Sequence, residues 1–323
     1  MPNREFSTPN KDLVIPTPLK SGDLVGVVAA SGPPSADLLN EGIRFLERRG
    51  FRVRTGRHVY EKNGYLAGTD DQRCQDLNAM LRDAEVRGIF FARGGYGVMR
   101  VLDRLDSEAL VQDPKVLLGM SDVTALQLSL YSRLNLVTFS GPMIAGQVGV
   151  GLDPISEKSL IEAVTQSPEG RDLWPLESTI KVLRGGRAQG RLIGGCLSLV
   201  AALLGTPHAP NFTDCILFLE DIYEAPYRID RMLTQLKLAG VLDKAAGLIL
   251  GHFVGSDDEE LGEEAERILM ELTAEEDIPI LSGFPHGHVL PNLTIPHGVS
   301  VQLDTDQRML KVRLDLDSTV GLG

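Results

Sequence analysis

What this chain lacks narrows its function before any motif is read. It has only three cysteines in 323 residues, Cys74, Cys196 and Cys215, with no paired spacing. An odd, sparse count fits a reducing compartment and excludes a disulfide framework and a cysteine zinc site. No His, Asp and Glu set falls at ligand spacing, so neither a metal nor another cofactor is expected. Basic residues are in deficit, with a net charge of −12. The clustered Lys and Arg that would grip nucleic-acid phosphates or an anionic membrane are therefore missing. No apolar run is long enough to span a bilayer, and residues 1–20 are polar and proline-containing, without the apolar region of a signal peptide. These absences point to a cytoplasmic protein without nucleic-acid or membrane partners. Internal repeats and low-complexity tracts are absent as well.

What remains is an ordinary globular composition, 43% hydrophobic, long enough that two domains are expected rather than one. In the first half, apolar strands at 23–30, 51–55, 88–92, 116–119 and 136–139 alternate with helical patterns at 36–49, 71–83, from 98 through 105, and 123–134. Gly50 closes the first helix in the manner of a C-terminal glycine. Such alternation implies a mostly parallel sheet covered on both faces, an α/β domain. Ligands then sit at the carboxyl ends of strands, where loops 31–35, 93–97 and 119–122 fall. The scatter of Ser, Pro, Gly and Arg from Ser167 to Gly190 reads as a linker. The second half is richer in strands, at 180–183, 190–193, 216–219, 247–250, 299–303 and 309–314, with helices at 197–204, 227–238 and 259–275. The expected domains are 1–166, carrying a nucleophile, and 190–323, joined by a linker over 167–189.

The stretch around which the chain is organised is Val116 to Leu126. An apolar strand ends at Gly119, Ser121 follows, and Leu126, Leu130 and Leu134 recur at one-turn spacing. That is the strand–turn–helix layout that exposes a serine hydroxyl above a sheet. The helix start just past Ser121 offers free N–H groups to an oxyanion. The usual elbow has a second glycine two residues after the serine; here Val123 stands there. The bland alternative is a helix cap. Glu220-Asp221 ends a strongly apolar strand, which suggests either a histidine partner or a solvated loop start. Among six histidines, His58 reads as surface and His252 as cleft or packing. His286 and His288 lie in a Gly- and Pro-rich loop of the kind that often carries function. Arg93-Gly94-Gly95-Tyr96-Gly97 follows a strand but matches neither the dinucleotide fingerprint nor a P-loop. Its glycines could supply an N–H to an oxyanion hole, and Arg93 could hold a carboxylate.

Taken together these pieces resemble the murein LD-carboxypeptidase family of serine peptidases, which includes the microcin-immunity hydrolases. The matching stretches are Gly64-Tyr65-Leu66-Ala67-Gly68-Thr69-Asp70 with Arg73, the Arg93 to Gly97 loop, Gly119-Met120-Ser121-Asp122, Thr138-Phe139-Ser140-Gly141-Pro142, Gly194-Gly195, Leu204-Gly205-Thr206, Phe218-Leu219-Glu220-Asp221, Tyr227 to Leu233, and Gly287-His288. The resemblance implies a flavodoxin-like, amidotransferase-like parallel-sheet domain followed by a mixed β/α domain. It implies Ser121 as nucleophile, His288 as base and Glu220 as the group orienting that base, with the N–H groups of Gly95 and Asp122 as oxyanion hole. Arg93 and Arg228 stand in matching loops as candidates for the substrate carboxylate. The implied reaction releases the terminal D-alanine of a murein tetrapeptide in peptidoglycan recycling, by a homodimer. Cys196 stands where many relatives carry asparagine, so a polar contact is expected to be lost there. The Arg-Gly-Gly-Tyr-Gly form favours the peptidoglycan branch. The competing expectations are an immunity-type hydrolase of aminoacyl or peptidyl adenylate analogues, and an inactive muropeptide-binding protein.

Overall fold

A run of four parallel pairings builds the first of two sheets in this computed structural model, which describes residues 12–175, 180–255 and 261–314. β1 (Leu24–Val28) lies between β2 (Arg52–Thr55) and β3 (Val86–Phe91); β4 (Val116–Gly119) and β5 (Thr138–Ser140) follow on the β3 side. All of these pairs are parallel. Helices α1 (Ala36–Arg48), α2 (Asp70–Arg82), α3 (Ser107–Gln112), α4 (Thr124–Leu134) and α5 (Pro154–Thr165) connect or follow these strands. β1 and β4 are buried along their whole length. That is why they read as continuous apolar runs rather than alternating ones.

The second sheet is mixed. It contains β6 (Lys181–Arg184), β7 (Arg187–Cys196), β8 (Cys215–Ile222), β9 (Gly247–Val254), β10 (Ile280–Ser282), β12 (Ser300–Asp304) and β13 (Met309–Val312). The order across it is β13-β12-β7-β8-β9-β10-β6. The β7 to β10 pairs are parallel and both edges antiparallel. α6 (Leu197–Leu203), α7 (Pro226–Leu238), α8 (Val241–Lys244) and α9 (Gly262–Leu272) belong to this half. β11 (Ile295–His297) leaves it and pairs antiparallel with β5, completing the first sheet from the second half of the chain.

One expectation changes. A single helix from 98 through 105 is replaced by two 3-10 turns, Val98–Arg100 and Leu102–Arg104. Arg100 and Arg104 are drawn onto Asp70 and Asp71 at the start of α2, while Val98 and Leu102 are buried. Those tethers at both ends favour the tighter turn. The strand read at 180–183 is present as the edge strand β6 over 181–184, within the stretch also read as linker. The expected lead-in over 1–20 and the start of the 259–275 helix lie partly outside the described residues.

The two halves share their cores. Ala125, Leu126 and Leu128 of α4 pack in one buried cluster with Leu197 and Val200 of α6. Val116 and Phe139 join Leu192, Ile216 and Phe218 in another. A site at this seam is thus held by two packed cores rather than by a hinge. Among the described residues, no helix is long and apolar enough to cross a membrane.

Candidate active site

Ser121 follows the carboxyl end of β4 with φ +61°, a left-handed conformation that a non-glycine residue adopts at a cost of about 1–2 kcal/mol. The backbone turns sharply there because two glycines give way around it. A β-carbon on Gly94 would lie 2.6 Å from Ser121 Oγ, so the arginine–glycine loop rests directly on the hydroxyl. A β-carbon on Gly119 would lie 3.0 Å from Val123 Cγ1. Val123 therefore fills the room that Gly119 leaves, and the elbow needs no second glycine at residue 123. Asp122 is buried, and its carboxylate accepts from Val98 N–H at 2.9 Å. Burial pushes its pKa up, against the pull of the N–H groups of the 97–98 turn.

Glu220 and His288 meet from elements 68 residues apart, Nδ1 of the imidazole lying 2.8 Å from Oε2. Glu220 is 1% exposed at the end of the apolar β8. The geometry is made by a bulge: Leu219 pairs with Leu250 but Asp221 with Phe253, so Gly251 and His252 of β9 stand opposite Glu220 alone. Gly251 lets the histidine loop come close, since a β-carbon there would sit 2.5 Å from His286 O. Gly287 has φ +130°, and a β-carbon on it would lie 3.0 Å from Glu220 Oε2. The carboxylate thus passes between two backbones that carry no side chain. Burial disfavours protonation of His288, but the charge and hydrogen bond of Glu220, with Asp221 behind, outweigh it and raise its pKa.

The loop bearing His288 is fastened to the first half by residues the sequence did not single out. Gln147 donates to Gly287 O at 3.1 Å and to Val289 O at 3.0 Å. Asn292 Nδ2 donates to Gln147 Oε1 at 3.0 Å and contacts Met120 Sδ at 3.3 Å, while its Oδ1 accepts from Gly287 N–H at 3.3 Å. One side chain therefore bridges the residue before Ser121 and the residue before His288. Thr124, three residues past Ser121, accepts from Cys196 N–H at 3.2 Å, and Cys196 is the register partner of Glu220. Among the described residues, no hydrogen bond joins Ser121 to His288 directly. Catalytic bonds of this kind commonly tighten only on substrate binding. A Gln or Asn in mid-chain carries no sequence signal for such a clamp. Asn292, four residues past His288 in a glycine–proline loop, is the one of the two with a local hint.

The remaining candidates fall as follows. Gly95 has φ +114° and stands beside Gly32, 3.2 Å from its N by the β-carbon position. Arg93 is exposed and donates to Pro33 O at 3.0 Å. Arg228, exposed at the start of α7, pairs with Glu224 at 2.7 Å. His286 is fully enclosed between Ser140 Oγ (3.1 Å) and Leu293 O (2.8 Å), and burial lowers its pKa, so it is a neutral brace for the loop. His58, read as surface, is instead half-buried on Asp76 at 2.8 Å. His252 lines the β9 bulge. The polar contact expected to be lost at Cys196 is made by its thiol, which donates to Asp221 Oδ1 at 3.3 Å.

Comparison with known proteins finds similarity along most of the chain. The LD-carboxypeptidase N-terminal domain family matches residues 25–141, and the LD-carboxypeptidase C-terminal domain family matches residues 189–303. The chain is 36% identical over 299 residues to the probable murein peptide carboxypeptidase of Bacillus subtilis, covering 91% of this chain and 92% of that one. It is 30% identical to the microcin C7 self-immunity protein MccF of Escherichia coli, covering 93% and 95%. A solved muramoyltetrapeptide carboxypeptidase from Oxalobacter formigenes superposes with a TM-score of 0.76 at 30% identity, covering 90% and 97%.

Proposed function

The chain belongs to the LD-carboxypeptidase family, and from that premise we propose that it is a serine-type LD-carboxypeptidase releasing the terminal D-alanine of murein tetrapeptides. The observation that supports this most is the Glu220–His288 pair, clamped through Asn292 and Gln147 to the turn that carries Ser121. In this reading Glu220 accepts from Nδ1–H, which leaves Nε2 free to take the proton from Ser121 Oγ as it attacks the carbonyl. Tetrahedral charge is received by the N–H groups of Asp122 and Gly95. The imidazolium that forms is stabilised by Glu220 and returns its proton to the amine of departing D-alanine. Water, activated by the same neutral imidazole, then hydrolyses the acyl-enzyme.

An exopeptidase also needs a cationic or N–H-rich pocket for the free carboxylate of D-alanine, and Arg93 and Arg228 are the candidates for it. If Arg93→Ala and Arg228→Ala both leave KM for a tetrapeptide unchanged, that assignment is wrong. The proposed setting is the cytoplasm, with muropeptides as substrate and a homodimer as assembly, which sedimentation of the purified chain checks. The test of the activity is mass spectrometry of a tetrapeptide incubated with wild type and with Ser121→Ala. Loss of the D-alanine mass with wild type alone is the expected result; no release by wild type refutes it.

A second reading is an immunity-type hydrolase of aminoacyl or peptidyl adenylate analogues. It is favoured by a TM-score of 0.83 to wild-type apo MccF, at 27% identity over 93% of this chain. Faster turnover of an aminoacyl-sulfamoyl adenosine than of a tetrapeptide would select it. An inactive muropeptide binder is disfavoured by the intact Ser, His and Glu, and labelling of Ser121 by a fluorophosphonate excludes it.

A further inference from the structure

Asp221 stands beside Glu220 on β8, yet the reaction above leaves it without a task. A carboxylate 3% exposed beside another buried carboxylate is costly unless something holds it. Three donors do so. Ser198 N–H, in the first turn of α6, reaches Oδ2 at 2.7 Å. Ile222 N–H reaches Oδ1 at 2.8 Å, and the Cys196 thiol reaches the same oxygen at 3.3 Å. α6 has no capping side chain of its own at Cys196. Asp221 therefore satisfies one of its free N–H groups from the neighbouring strand. Those bonds tie β7, α6 and β8 together one residue beyond Glu220.

We propose that Asp221 is a positioning residue that fixes the strand end bearing Glu220 and adds a second negative charge behind His288. The proposal rests on the reading of Glu220 and His288 as the base pair of the reaction. Among the described residues, Glu220 and Asp221 on β8 act on the imidazole and His286 lies on its own loop, while Cys196 on β7 and His252 on β9 flank Glu220. Burial, reinforced by Asp221 and Glu220, pushes the Cys196 thiol far up, and burial keeps His286 neutral. Burial, then the charge of Glu220, pushes Asp221 itself up to about 6. The charge of Asp221 acts on His288 as well, after burial and the charge and hydrogen bond of Glu220.

The test is NMR titration of the His288 imidazole in the intact chain, together with the pH profile of kcat/KM on a murein tetrapeptide. Asp221→Asn keeps the size and removes the charge. The imidazole titration and the acid limb should both move down by about 0.5–1 unit, while Cys196→Ser, which retains both carboxylates, leaves the limb in place. An unmoved His288 titration in a folded Asp221→Asn chain overturns the proposal. If that variant does not fold, carbon NMR of wild type decides instead: the Asp221 carboxyl and His288 must share inflections, and two independent single-step curves overturn it. Failure of the functional reading would look different, with no D-alanine release by wild type while the His288 shift persists.

Discussion

Replacing Gly94 with alanine should silence Ser121 without unfolding the chain. Gly94 does not carry a positive φ, so an alanine meets no backbone strain there. Its β-carbon would lie 2.6 Å from Ser121 Oγ and 2.7 Å from Ser121 Cβ. Non-bonded carbons settle about 3.5–4.0 Å apart, so the two side chains must separate by roughly 1 Å. Overpacking of this kind costs about 1–3 kcal/mol, which in a chain of this size lowers Tm by no more than roughly 10 °C. Displacing a reacting oxygen by about 1 Å costs on the order of 100-fold in rate. The assay is tetrapeptide hydrolysis and the rate of fluorophosphonate labelling, with a thermal melt alongside. Gly185→Ala is the control, because its β-carbon would make only one ordinary contact, 3.5 Å from Thr305 Oγ1. A folded Gly94→Ala chain that retains wild-type kcat and labelling rate would show that Ser121 is not the nucleophile.

The other expectations follow from the same geometry. Relief of the left-handed φ makes Ser121→Gly more stable than Ser121→Ala by about 1 kcal/mol, read by denaturant melts, while both lose activity by at least about 10⁴-fold. Because the pKa of His288 is raised, the stabilisation from its ion pair with Glu220 is complete below about 6.5 and is lost as pH rises through the higher folded value. Activity needs the neutral imidazole, so kcat/KM must rise across that same window; an acid limb below the ordinary histidine value would contradict the raised pKa. Gln147→Ala removes both bonds to Gly287 O and Val289 O and should cost about 1–3 kcal/mol of stability. Its kcat should fall more than KM rises, and a KM effect alone would deny that the loop positions His288.

Much of this molecule was written locally along the chain. The buried strands β1, β4 and the Cys215–Leu219 stretch of β8 announce themselves because a strand covered on both faces reads as a continuous apolar run. α7 announces itself because Ile229, Leu233 and Leu236 recur at helical spacing, all three buried. Ser121 was legible for the same reason, as a strand, a turn and a helix within a dozen residues. The residues proposed to act with it were not. Nothing local tells that Glu220 is held by His288 rather than by water; the family motifs suggested it, and the motifs name residues without saying what holds them.

Tertiary structure decided the rest, because those effects depend on gaps between distant backbones. Local patterning could not reveal that Gly251 and Gly287 leave a passage for one carboxylate. Nor could it reveal that Val123 occupies the space vacated at Gly119, or that β11 crosses from the second half of the chain to complete the first sheet. Asn292 and Gln147 are polar residues of no special spacing, and they matter only because the folded chain brings Met120 within reach of the histidine loop. Periodicity encodes which face of an element is buried. It carries no record of which partner that face will meet, and the chemistry proposed here is made entirely at such meetings.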